Sequence, residues 1–139
     1  MTADLPDLTK LPEPKTTKRI LVVDDETAAR VLISTFLDRG GFEAVKAKNG
    51  KEALIVMEQG PLPDLVICDV MMPEMDGVTL VRQIRHRFPE THIPILVLSG
   101  SGDVQTVNDA LSAGANDFLS KPILRHDLVE KIKTALKLS

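Results

Sequence analysis

Five short apolar runs recur along the chain, and a stretch with apolar residues at helical spacing follows each one. Ile20-Leu21-Val22-Val23 is the first run, of the kind that forms a strand buried on both faces. Thr27 to Arg39 is the predicted helix after it, with Ala29, Leu32, Ile33, Phe36 and Leu37 at helical spacing and Gly40-Gly41 as its stop. Phe42 to Ala47 predicts a second strand, and Asn49-Gly50 turns the chain into a helix that carries Ala53, Leu54 and Met57 and ends near Gly60-Pro61. Leu65 to Cys68 is the third strand. After Asp76-Gly77 a helix places Val78, Leu80, Val81 and Ile84 inward and leaves Arg82, Arg85 and Arg87 to solvent, until Pro89 closes it. Ile93 to Leu98 is the most strand-like run, with Pro94 near its start, where a missing donor is tolerable. A fourth helix over Asp103 to Ala113 puts Val104, Val107 and Leu111 on one face. Asn116 to Ser120 is a short fifth strand. The last helix, Arg125 to Leu138, turns Leu128, Ile132, Ala135 and Leu136 inward.

Strict alternation of strand and helix argues for an α/β domain: a parallel sheet covered by helices on both faces, with right-handed crossovers. Residues 1–18, with Pro6, Pro12 and Pro14 and no periodicity, are expected to form a flexible N-terminal extension, and residues 19–139 a single domain.

Composition narrows the class. Of 139 residues, 43% are hydrophobic and 27% charged, a globular balance rather than a disordered one. A net charge of -3 without a Lys/Arg cluster gives no footprint for nucleic acid, so direct nucleic-acid binding is not expected. The single cysteine, Cys68, lies within an apolar run and is expected to be a buried thiol. No apolar stretch approaches the ~20 residues that span a bilayer. The N-terminus lacks a signal-peptide pattern, so a reduced, cytoplasmic protein without membrane insertion is the expectation.

The candidate chemistry lies at the ends of the strands, where ligands bind in open parallel sheets. Asp24 and Asp25 follow the first strand, Asp69 the third, Ser99 the fourth and Lys121 the fifth. An isolated Asp there is more often a helix cap, Ser99 alone is turn chemistry, and Lys121 alone is a solvated lysine. Together they make a different case. Two carboxylates ~5 Å apart repel by roughly 3 kcal/mol at an effective dielectric of 20. Such a cluster must protonate, stay hydrated or bind a cation, and all-oxygen ligands suit Mg²⁺. A lysine and a hydroxyl opposite the acids can grip two oxygens of an anion, most simply a phosphoryl group. Asp69 is then its acceptor. His86, His92 and His126 fall away from the strand ends and are expected at the surface.

Val22-Val23-Asp24-Asp25-Glu26, Asp69-Val70-Met71-Met72-Pro73-Glu74-Met75-Asp76-Gly77, Ser99-Gly100 and Lys121-Pro122 together resemble the receiver domain of two-component response regulators, over about residues 19 to 138. The resemblance implies a flavodoxin-like, doubly wound (βα)5 fold with strand order 2-1-3-4-5, an order for which a chemotaxis receiver is itself a standard example. It implies Asp69 as phosphoacceptor, Asp25 as a direct Mg²⁺ ligand, Asp24 acting mainly through water, and the Met71 carbonyl as a further ligand. Lys121 would pair with the phosphoryl group before a cis bond to Pro122, and Ser99 would hydrogen-bond the phosphate. Phe118 matches a switch aromatic, against a plain core role. The donor would be a histidine kinase or a histidine phosphotransfer protein. The response would be a change in the face formed by helix 4, strand 5 and helix 5, directed at an unidentified protein target. The chain would act as a monomer or a phosphorylation-dependent dimer.

Met71 places an apolar side chain where hydrolytic water should approach, which suggests a long-lived phosphoryl group. Gly100 stands where the family often has Ala and leaves the loop looser. A phosphorelay intermediate and a receiver cut from a hybrid kinase are alternatives for the same site. An aspartate-nucleophile phosphatase is disfavoured because Met71, not a second Asp, follows Val70, so multiple-turnover catalysis is not expected. A flavodoxin-like electron carrier would need a hydroxyl-rich loop after strand one and aromatics for the flavin; this chain has Asp24-Asp25 there and neither Trp nor Tyr.

Overall fold

The computed structural model describes residues 17–138; the expected extension over residues 1–18 falls almost wholly outside them. Ten elements alternate without exception: β1 Arg19–Val23, α1 Thr27–Arg39, β2 Glu43–Ala47, α2 Gly50–Gln59, β3 Leu65–Asp69, α3 Gly77–Arg87, β4 Ile95–Ser99, α4 Val104–Ala113, β5 Asp117–Ser120 and α5 Arg125–Leu136. All strand pairings are parallel, in the order β2-β1-β3-β4-β5. This is the doubly wound, flavodoxin-like α/β fold expected from the sequence.

Successive side chains of a strand point to opposite faces, so the apolar runs of β1, β3 and β4 each feed two cores. Ile20, Val22, Ile67, Leu96 and Leu98 face Ile33 and Leu37 of α1 and Leu128 and Ile132 of α5. Leu21, Val23, Val66, Cys68, Ile95 and Val97 face Ala53, Leu54 and Met57 of α2, Leu80, Val81 and Ile84 of α3, and Ala110 of α4. Full burial of one such Leu or Ile stabilises by about 1.5–3 kcal/mol. Asn49 starts α2 by accepting the Glu52 N–H at 2.8 Å, and Asp76 starts α3 by accepting the Thr79 N–H at 2.8 Å.

Several local expectations change. The fourth strand begins at Ile95, not Ile93, because Pro94 has no N–H and the Ile95 N–H goes to Asn116 Oδ1 at 2.8 Å. The last helix stops at Leu136, where Lys137 adopts a left-handed conformation with φ 57°. Leu32 and Val104 share the helical spacing of core residues yet are exposed, Val104 at 72%. Arg85 is not free in solvent: its Nε and Nη2 donate to the Gly114 carbonyl at 3.1 and 2.8 Å, and Nη2 also reaches Asn116 Oδ1 at 2.9 Å. Burial there lowers its pKa. This clamp ties α3 to the end of α4.

Candidate functional site

The register brings the carboxyl ends of the strands level. Val23 pairs with Cys68, Asp69 with Leu98, and Ser99 with Ser120, so Asp24, Asp69, Ser99 and Lys121 emerge along one edge. Apolar runs on both sides of each strand leave no room for the first polar residue to turn back. Asp24, Asp69 and Ser99 are therefore buried at 0%, 4% and 4% exposure, while Asp25, one residue further on, is exposed.

One carboxylate oxygen from each of Asp24, Asp25 and Asp69 lies within 4.8 Å of the others. Asp24 Oδ1 accepts the Glu26 N–H at 3.0 Å, but Oδ2 is buried without a hydrogen-bond partner. A buried, unpartnered carboxylate oxygen is costly, and it faces two more acids. Burial raises the Asp24 pKa, the Glu26 N–H opposes the rise, and the negative charges of Asp69 and Asp25 add to it. A hard divalent cation would satisfy this oxygen-only donor set, so the residues fit Mg²⁺.

Asp69 uses both oxygens. Oδ1 accepts the Met71 N–H at 3.1 Å, and Oδ2 accepts from Lys121 Nζ at 2.7 Å. Burial works against the charged form of Lys121, but the hydrogen bond and charge of Asp69, with Asp24 and Glu26, outweigh it and raise its pKa. The Lys121–Pro122 peptide bond is cis, in line with the resemblance. Cys68, immediately before Asp69, is fully buried; burial and the neighbouring carboxylate push its thiol up to about 12, so it is an inert core residue.

Ser99 and Phe118 flank a cavity of about 330 Å³ that Val107, Asn108 and Lys121 also line. Ser99 Oγ reaches the Leu119 carbonyl only at 3.5 Å, a weak hold. Phe118 is not a core residue: it is 39% exposed, with Lys131 Nζ 5.9 Å from its ring centre. Lys131 also pairs with Asp117 Oδ2 at 2.7 Å. The Met71 side chain is 58% exposed at the rim. His86, His92 and His126 are exposed and contribute nothing to the site.

Two further residues serve the site in ways that the sequence reading assigns to neither. Gly77 lies so close to the strand end that a Cβ there would stand 2.5 Å from the Asp69 carbonyl oxygen and 2.7 Å from Val70 Cα. Arg30 donates through Nη1 to the Asp24 carbonyl at 2.6 Å. The Asp-Gly pair at 76–77 reads in sequence as a turn, and Arg30 is one unremarked residue of the first predicted helix. Only the tertiary approach gives either one its role.

A family model described as response regulator receiver domain matches residues 20–133. The chain is 39% identical over 119 residues to the chemotaxis protein CheY of Bacillus subtilis, covering 85% of this chain and 97% of that one. It is 40% identical over 120 residues to the probable transcriptional regulator ycf27 of Cyanophora paradoxa, covering 86% of this chain and 48% of that protein. It thus spans about half the length of several curated relatives it matches. A crystal structure of a putative response regulator from Chloroflexus aurantiacus superposes with a TM-score of 0.82 at 36% identity, covering 87% of this chain and 98% of that one.

Proposed function

The chain belongs to the response regulator receiver domain family, whose members are phosphoacceptor signalling modules of two-component systems, and on that premise we propose that Asp69 is the phosphoacceptor. The observation that carries this reading is the pairing of Asp69 with Lys121 inside a cluster of three carboxylates. A phosphoryl group leaves the ring nitrogen of a phosphohistidine: the P–N bond breaks with its electron pair left on nitrogen, and an Asp69 oxygen donates the pair of the new P–O bond. The ring departs as neutral imidazole when its other nitrogen carries a proton, or as imidazolate that takes up a proton when it does not. Asp24, Asp25, Asp69 and the Met71 carbonyl would hold Mg²⁺. Bound there, the ion neutralises charge that builds on the phosphoryl oxygens. Lys121, freed from the Asp69 oxygen, pairs with a phosphoryl oxygen, and Ser99 turns its hydroxyl toward another.

The donor in this reading is a histidine kinase or a histidine phosphotransfer protein, the partner class of the family. Val31 and Leu32 on α1, and Leu124 just beyond Lys121-Pro122, are exposed apolar residues suited to such a partner. The output is a rearrangement of the α4–β5–α5 face. The weak Ser99 contact, the half-exposed Phe118 and the cavity between them support this, because they leave both side chains a second position. Among the described residues no helix is long and apolar enough to cross a membrane, which suits a cytoplasmic module. Relatives such as the ycf27 regulators carry names of transcriptional regulators. The receiver itself is directed at a protein target.

Incubation with acetyl phosphate and Mg²⁺, followed by intact mass measurement, tests the assignment. One added phosphoryl group that disappears on chelation of Mg²⁺ before mixing is the expected result; labelling indifferent to Mg²⁺ would contradict it.

A further inference from the structure

Arg30 stands among acids and pairs with none of them. It lies on the first turn of α1, directly after Asp24-Asp25-Glu26, yet among the described residues no carboxylate forms an ion pair with its guanidinium. Its donors go elsewhere: Nη1 to the Asp24 carbonyl at 2.6 Å and Nη2 to Thr27 Oγ1 at 3.2 Å.

The bond to the carbonyl has consequences for the acids. The Asp24 carbonyl and the Asp25 N–H belong to one rigid peptide plane. On its other side Asp24 is fixed by its own N–H, which donates to the Ala47 carbonyl at 3.2 Å, and by Oδ1 on the Glu26 N–H. β1 ends at Val23, so no ladder bond from β3 constrains the Asp24–Asp25 plane. Arg30 supplies the missing constraint. A rotation of that plane would swing the Asp25 carboxylate away from Asp24 and Asp69.

The fork geometry also occupies the guanidinium. An arginine free to move could reach an acid and fill the place of a cation, whereas one held by a carbonyl and a hydroxyl leaves all three carboxylates open.

We propose that Arg30 is a positioning residue for the metal cluster: through the Asp24 carbonyl it aims Asp24 and Asp25 at Asp69 and keeps its own charge out of their midst. This rests on reading the cluster as a Mg²⁺ site.

The test is a Mg²⁺ titration of the purified chain followed by backbone amide NMR shifts, with no phosphorylation in the readout. Arg30→Ala, Arg30→Lys and Thr27→Ala are compared with the wild type. The expected result is Mg²⁺ affinity about 10-fold weaker for Arg30→Ala and Arg30→Lys, as for loss of an outer partner of a metal ligand. Thr27→Ala, which keeps the charge and loses only the Nη2 partner, moves the same way by less. In phosphorylation by acetyl phosphate, the half-saturating Mg²⁺ concentration rises by the same factor while the rate at saturating Mg²⁺ is retained. If Arg30 acts only as a positive charge, Arg30→Ala binds Mg²⁺ more tightly and Arg30→Lys is unchanged. Either that pattern or equal affinity in all variants overturns the proposal. A wild-type chain with no Mg²⁺ response would instead overturn the metal reading beneath it.

Discussion

Lys121 Nζ and Asp69 Oδ2, 52 residues apart in the chain, meet at 2.7 Å because β3 and β5 flank β4 in register. The pair is asymmetric, with side-chain exposures of 31% for the lysine and 6% for the aspartate. Removing the lysine therefore leaves a buried carboxylate beside two other acids. Lys121→Ala is expected to lose about 1–3 kcal/mol at neutral pH without metal, once screening of the lysine is counted. The sign of the pH dependence follows from the raised folded pKa of Lys121. Its contribution is complete below the free lysine value of 10.5 and is lost as pH rises through the folded value. Urea midpoints of the two proteins should converge in that alkaline range.

Asp24 runs in the opposite sense. Its folded pKa is raised above 3.8, so between 3.8 and that raised value the folded state holds a proton that the unfolded chain has released. Its effect on stability is unfavourable at neutral pH and is relieved as pH falls through the raised value. Asp24→Asn should stabilise the metal-free protein by roughly 1 kcal/mol at pH 7 and flatten that part of the pH profile. The same variant should lose the stabilisation by Mg²⁺, which for the wild type at 100 times Kd amounts to about 2.7 kcal/mol. Denaturant titrations with and without chelator check both halves.

Gly77→Ala forces a methyl group onto the backbone of Asp69 and Val70, at 2.5 and 2.7 Å. Backbone cannot move aside as a flexible side chain can. A loss of about 1–3 kcal/mol is expected, together with slower phosphorylation, because the strain falls on the acceptor residue itself. Chemical denaturation and initial labelling rates measure the two effects.

These residues also show what a linear reading can reach. The alternating strands and helices, the two apolar layers and the convergence of Asp24, Asp25, Asp69, Ser99 and Lys121 were legible because each depends on a local pattern: a run, a period, or a residue at the end of a run. The strand order is not written in any run or period and rested on the resemblance to receiver domains alone. Leu32 and Val104 were misread because helical spacing marks a face without saying whether anything covers it. Arg85 looked like a solvent charge because its partner is the Gly114 carbonyl, and a backbone acceptor leaves no trace in side-chain identity. Arg30 was passed over for the same reason, and Gly77 was seen only as the end of a motif, without its packing role. Both act on backbone atoms, Arg30 at the end of β1 and Gly77 at the end of β3.

Met71 is predicted to slow the loss of the phosphoryl group. Its side chain is 58% exposed while its N–H holds Asp69 Oδ1, so it sits at the rim of the acceptor. An apolar rim limits the approach of ordered water. Met71→Asn should shorten the lifetime of the phosphorylated chain in Mg²⁺ buffer without altering its fold. An unchanged decay rate, followed by intact mass over time, would contradict the shielding role.

The most direct test of the account is phosphoryl labelling of Asp69→Asn beside the wild type. Asn keeps the volume of the side chain, and its single amide oxygen can accept from the Met71 N–H or from Lys121 but not from both as the two Asp69 oxygens do; above all it lacks the nucleophilic carboxylate. With acetyl phosphate and Mg²⁺, the wild type should gain one phosphoryl group that peptide mapping places on Asp69, and the variant should gain none. Robust Mg²⁺-dependent labelling of the variant at another residue would contradict Asp69 as the phosphoacceptor.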